Sequence, residues 1–190
     1  MLAPLLAALA LAADPGSPAS SAEPVTAEPG VEETVRGYLG AIDRPVPEEA
    51  WRQLGPAGEA ELERIARSTG AFAVRRARAL EGLAAFGGAR AEAVHLELSR
   101  APDAPRLVRS AAVRGLGRLL PAARAARELR PVLEQDSDRG VRATAAEVLS
   151  RRAPAESCAA IRAQAARDGA RSGLFARALA ATTFFLPEQA

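Results

Sequence analysis

Apolar side chains recur at helical spacing from Val31 onward. In V-E-E-T-V-R-G-Y-L-G-A-I, Val31, Val35, Tyr38, Leu39 and Ile42 fall on one stripe of a helix. Glu32 and Glu33 occupy its first turn, where carboxylates favour the positive end of the helix dipole. The run Asp43-Arg44-Pro45-Val46-Pro47 stops it, because proline has no amide hydrogen and clashes with the preceding turn. Pro47 then opens a short second helix carrying Trp51 and Leu54, with Glu48 and Glu49 in its first turn and Gly55-Pro56 at its end. No run alternates with period two as a half-buried strand does. The pattern predicts an all-α protein.

Beyond Pro56 the stripes come in pairs. Ala57–Arg67, with Leu62, Ile65 and Ala66 inward, precedes a partner over Phe72–Phe86. Ala89–Arg100, with Val94 and Leu98, precedes Arg106–Leu119. The segment from Pro121 to Gln135, with Leu129, Val132 and Leu133, precedes Arg139–Arg152, and Pro131 is expected to kink it or end it early. A fourth pair covers Pro154–Arg167 (Cys158, Ile161, Ala165) and Arg171–Ala181 (Leu174, Ala178, Leu179). The second helices superpose at a fixed offset of 33 residues, which aligns Arg76, Arg109 and Arg142, then Ala79, Ala112 and Ala145, then Leu83, Leu116 and Leu149. In the fourth pair Ala178 keeps this register, but Phe175 stands where the arginine belongs. A repeat of this length means a stack in which each unit touches chiefly its neighbours. The expected architecture is a short α-solenoid of about four helix pairs over 57–181. The two helices of 31–56 do not match the repeat and read as a cap over the terminal core face.

The segment D-S-D-R-G-V-R-A-T-A-A-E-V-L from Asp136 to Leu149 resembles the HEAT-like repeat of the type seen in relatives of phycobiliprotein lyases. Asp103, Leu107-Val108-Arg109, Ala111-Ala112 and Gly115-Leu116-Gly117 match it nearly as well, while the copy over Arg75–Gly87 lacks both the Asp and the Val. The resemblance implies an internal ladder. Asp103 and Asp136 would accept amides at the start of each second helix, and Arg76, Arg109 and Arg142 would pack between repeats. Proteins of this kind include scaffolds, adaptors, transport factors, a few lyases and a DNA-repair glycosylase, so the fold does not name a chemistry.

Composition narrows the field. Of 190 residues 48% are apolar but only 4% aromatic, and every one of the 25 basic residues is arginine, set against 23 acidic ones. Arginine alone suits bidentate recognition of anions, and it equally suits the codon bias of a GC-rich genome. A net charge of +2 and aromatics assigned to cap or core positions (Tyr38, Trp51, Phe72, Phe86) argue against nucleic acid as the partner, because stacking on bases needs exposed rings. One cysteine, Cys158, excludes an internal disulfide framework and thiolate clusters. It reads as a small buried residue, with an intermolecular disulfide as the alternative. The single histidine, His95, cannot build a multi-histidine metal centre, lies more than sixty residues from Cys158, and reads as partly exposed. No phosphate loop or nucleophile elbow is present. The chain is expected to be non-enzymatic, monomeric and without a cofactor.

The start, M-L-A-P-L-L-A-A-L-A-L-A-A (1–13), is too short to span a bilayer but has the apolar centre of a secretory signal, with Ala10-Leu11-Ala12 fitting small-x-small cleavage. No basic residue precedes the apolar run, which departs from that pattern. Residues 14–30 hold four prolines and almost no bulky apolar side chain, and read as a disordered tether. Periplasmic or secreted localisation is expected, with a cytoplasmic protein as the alternative. The remaining surface is the ridge of the second helices opposite the core, carrying Arg78, Glu81, Arg114, Arg118, Thr144, Glu147, Arg151 and Arg177. It reads as a groove for an acidic protein segment, with Arg78, Arg114, Arg118, Arg151 and Arg177 as candidate contacts, or else as a solvated face of an arginine-rich chain. The expected function is a protein-binding scaffold or adaptor in the bacterial cell envelope. A cytoplasmic nucleic-acid-binding array is the second reading. The end of the chain (182–190), with Phe184-Phe185-Leu186, either covers the last repeat or docks a partner.

Overall fold

A computed structural model describes residues 30–41, 44–169 and 173–182. The expected signal and tether (1–29) and the Phe184-Phe185-Leu186 cluster lie outside the described residues. Among those described there are ten α-helices, one 3-10 turn and no strand. The helices are α1 (Val31–Gly40), α2 (Glu48–Gln53), α3 (Gly55–Arg67), α4 (Ala73–Phe86), α5 (Gly88–Arg100), α6 (Arg106–Leu119), α7 (Ala122–Gln135), α8 (Arg139–Arg152), α9 (Pro154–Arg167) and α10 (Ala176–Thr182).

Neighbour contacts sort them into two layers. The odd-numbered helices α1, α3, α5, α7 and α9 stack on one another in one layer, and α2, α4, α6, α8 and α10 stack in the other. Each layer thus begins with one helix of the α1–α2 cap, α1 against α3 and α2 against α4. The cap's fit depends on specific contacts the repeat pattern does not contain. Trp51 meets Tyr38 edge to face at 5.2 Å, and its ring occupies the space that a side chain on Gly82 of α4 would fill, 3.0 Å from that Cβ position. Arg52 Nε donates to the Ala85 carbonyl at 2.8 Å.

The aligned repeat positions are core. Ala79, Ala112, Ala145, Leu83, Leu116 and Leu149 are all buried, and the apolar interior between the layers forms two clusters that divide at α6 between Ala112 and Val113. Small residues let the inner helices approach closely: on α6, Gly117 leaves room for Val148 of α8, which would otherwise stand 2.4 Å from its Cβ.

Four local expectations need correction. α3 starts at Gly55 rather than Ala57, because Gly55 at φ +62° makes the turn and Pro56 suits a first helical position. α7 runs through Pro131 to Gln135 instead of ending early. Pro131 lies on the exposed side, where water can satisfy the Arg127 carbonyl that lacks its amide partner. Of the final helix expected over Arg171–Ala181, residues 173–175 form a 3-10 turn and the α-helix α10 begins only at Ala176. That turn rotates Leu174 outward to 52% exposure and puts Phe175, 2% exposed, in the core. Phe72, read as cap or core, precedes the first residue of α4 and is 87% exposed.

Candidate interaction surface

The even-numbered helices form the layer that carries the predicted ridge. The ion pairs of the odd layer, Arg67–Glu97, Arg90–Glu63, Arg100–Glu128 and Arg124–Glu92, each join adjacent helices. In the even layer Glu48 of α2 reaches over α4 to Arg118 of α6. Beneath this bond is a concavity of about 310 Å³, with Val46 and Trp51 on one side, Arg78 and Glu81 on α4, and Arg114 and Arg118 on α6.

Three of the predicted contacts thus share one groove, but they differ in what they have left to offer. Arg78 does not face a partner. Its guanidinium donates to the Leu39 carbonyl at 3.0 Å and to that of Ala41, satisfying carbonyls at the end of α1. It is removed from the candidate contacts for that reason. Arg114 stands 3.6 Å from Glu81, beyond good hydrogen-bond length, and Arg118 pairs with Glu48. Arg151 and Arg177 form a second group around one acid, at 2.7 and 3.9 Å from Glu147. Arg177 is the most open, with 88% of its side chain exposed. The ridge is therefore not a bare cationic strip. Arginine and glutamate alternate along it, and at the repeat position 81/114/147 the order is Glu, Arg, Glu.

The same stripe carries apolar residues that pattern reading missed. Val74 lies one turn before Arg78, and Leu107 one turn before Ala111, at the same repeat position, and both are exposed. Extending the i, i+4, i+7 spacing backward from Arg78 and Arg114 would have found them.

Between repeats, buried polar rungs hold the stack. Arg109 forks onto Asp136 with both nitrogen–oxygen distances at 3.1 Å, and the two side chains are only 7% and 8% exposed. Arg142 forks onto Asp168, 2.9 Å from Nε to the nearer oxygen, and also donates to the Asp136 carbonyl at 2.6 Å. The Arg142 guanidinium holds the Asp168 carboxyl below the usual carboxylate range. Arg76 is buried but donates to the Ala66 carbonyl at 2.9 Å.

The aspartates divide the work differently from the reading of one Asp per repeat. Asp138 caps α8, accepting from the amides of Gly140 and Val141. Asp136, two residues earlier, receives Arg109 and the Asp138 amide. Asp103 is exposed and makes no ion pair among the described residues. Pro105 occupies the capping position of α6, so Asp103 does not cap that helix. Asp168 was missed because it lies 32 residues after Asp136, one short of the repeat.

A family model for HEAT repeats matches residues 59–150 and 96–180, together more than half of the chain. The chain belongs to the HEAT-repeat family. No curated protein and no solved structure matches it. HEAT repeats generally mediate protein–protein interaction, and the family is typically a non-enzymatic scaffold.

His95 is the largest departure from expectation in this HEAT-repeat array. Read as partly exposed, it has no exposed surface at all. Its Nδ1 lies 2.6 Å from the Ala91 carbonyl and its Nε2 3.1 Å from the Leu80 carbonyl, so the ring bridges α5 to α4. Gly115 on α6 makes the space, since a Cβ there would stand 2.1 Å from the ring. Burial pushes the imidazole below its ordinary pKa, against the pull of the two carbonyls. Cys158 sits elsewhere, buried on α9 with its Sγ 3.7 Å from the Thr182 carbonyl. Among the described residues no group of three or more His, Cys, Asp or Glu is placed to hold a metal ion, and no helix is long and apolar enough to cross a membrane.

Proposed function

We propose that this HEAT-repeat chain is a monomeric, non-catalytic scaffold of the bacterial cell envelope that binds a protein partner along its concave ridge. The observation that carries the reading is the open inner stripe. Arg114, Arg118, Arg151 and Arg177 present half-exposed to fully exposed guanidinium heads from three successive inner helices, flanked by exposed Val74 and Leu107. Mixed charge beside apolar surface suits a protein segment. It suits nucleic acid poorly, because Glu48, Glu81 and Glu147 would face the phosphates. The envelope assignment rests on the apolar start and the Pro/Ser/Ala tether that follows it.

Charge reversal at Arg114, Arg118 and Arg151 tests the ridge. The triple variant should lose proteins that co-purify with the wild-type chain from the native envelope while keeping its helicity and melting temperature. Undiminished capture of the same proteins would reject the ridge. N-terminal sequencing of the chain recovered from cell fractions tests the location. A start near Ala13 in the envelope supports export, and Met1 retained in the cytoplasm refutes it.

A further inference from the structure

The clasp between Glu48 and Arg118 has a chemistry beyond holding the cap. α2 is already fixed to α4 by Trp51 in the Gly82 notch and by Arg52 on the Ala85 carbonyl. Glu48 adds a bond that leaves this packed interface and crosses the mouth of the groove. Its carboxylate is gripped by two guanidiniums, Arg52 at 2.7 Å and Arg118 from the far wall, yet about half of its side chain remains exposed.

The groove below has three kinds of surface. Val46, Trp51 and Ala111 supply apolar wall and floor. Arg114 and Arg118, one turn apart on α6, aim cations across it. Arg78 also lines it, but its donors are committed to the carbonyls of Leu39 and Ala41. A visiting group would therefore meet two guanidiniums, one loosely held by Glu81 and one held by Glu48. The complementary ligand is a carboxylate next to an apolar side chain.

We infer that Glu48 is an internal stand-in for a partner's carboxylate: an acidic, apolar-flanked segment of a protein docks in this groove, takes Arg118 from Glu48 and opens the clasp. The inference rests on the scaffold reading and names the partner chemistry that one end of the ridge takes. Competition is modest, because an exposed ion pair is weak. Removing the Glu48 carboxylate should tighten binding by roughly two- to fivefold. Once the clasp opens, the groove gains depth and the partner's apolar side chain reaches Trp51.

The test uses a fluorescein-labelled peptide of alternating leucine and glutamate, with a leucine–glutamine peptide as control, titrated by fluorescence anisotropy at low salt. Wild type should bind the acidic peptide and not the control. E48Q should bind it two- to fivefold more tightly. R118Q should bind more weakly, and E48Q/R118Q should match R118Q, since the competitor matters only while its arginine is present. Equal affinities of wild type and E48Q would overturn the inference, as would absence of acidic-peptide binding to either. Binding insensitive to E48Q and R118Q but lost in R151Q/R177Q would sink the clasp and leave the scaffold reading standing. Both substituted side chains are about half exposed, so circular dichroism should show unchanged helicity.

Discussion

Replacing Gly115 by alanine should destabilise the array although alanine is the better helix former. The added Cβ would stand 2.1 Å from His95 Cδ2 and 2.3 Å from Nε2. The ring has no free space to retreat into, being fully buried between the carbonyls of Ala91 and Leu80, one of which accepts the single N–H of the neutral imidazole. Forcing a group into a packed core costs about 1–3 kcal/mol. Disturbing a buried imidazole hydrogen bond adds about 1–3 kcal/mol, and the helix-propensity gain returns up to about 1 kcal/mol. Summed, the net loss is about 1–5 kcal/mol, or a melting temperature lower by roughly 2–20 °C for a folded unit of this size. Differential scanning calorimetry reads the shift, and urea unfolding checks it. His95→Ala alone should cost about 2–4 kcal/mol by leaving a polar cavity. In the double variant the new methyl enters the space the ring vacated, so the two losses should fall short of adding by at least about 1 kcal/mol. An unchanged or raised melting temperature in G115A, or strict additivity in the double variant, would refute the notch.

Three further outcomes follow from the buried polar groups. Because burial depresses the folded-state pKa of His95, the unfolded chain binds the extra proton first. The stability due to neutral His95 is therefore complete above about pH 6.5 and declines as pH falls below it, by up to about 1.4 kcal/mol per unit. Urea midpoints between pH 7.5 and 5 should show a steeper fall in wild type than in His95→Gln. Asp136→Ala strands the Arg109 guanidinium in a nearly dry site and should cost about 3–5 kcal/mol in urea unfolding, against less than about 1 kcal/mol for Glu147→Ala at its exposed pair. Asp138→Ala removes the α8 cap and should cost about 1 kcal/mol, whereas Asp103→Ala, at an exposed position, should change the urea midpoint little.

What the sequence revealed and what it hid divide along a physical line. The positions repeated at 33 residues were legible because one periodicity decides both helix and burial: Ala79, Ala112 and Ala145 face inward for the same reason each time. Features set by a neighbouring repeat were not legible. His95 looks like a surface residue on its own helix, and only Gly115, twenty residues on, makes room for it. Arg78 carries the ridge spacing, yet the end of α1 claims its donors. In Asp136-Ser137-Asp138 either aspartate could cap, and the backbone gives that role to the second, freeing the first for Arg109. The concave ridge reads from the sequence as arginine-weighted with Glu81 and Glu147 interrupting it. The third acid, Glu48, comes from a cap that no repeat predicts.

The central claim, that the inner layer is the partner-binding face, is tested most directly by site-specific photocross-linking in the native host. A photoreactive phenylalanine analogue would replace Thr144 on the inner layer or Arg130 on the outer one. A discrete cross-linked protein band from position 144 and none from 130 is the result this account predicts. The same band from 130 alone, or no band from any inner-layer position including Leu107 and Arg177, would contradict it.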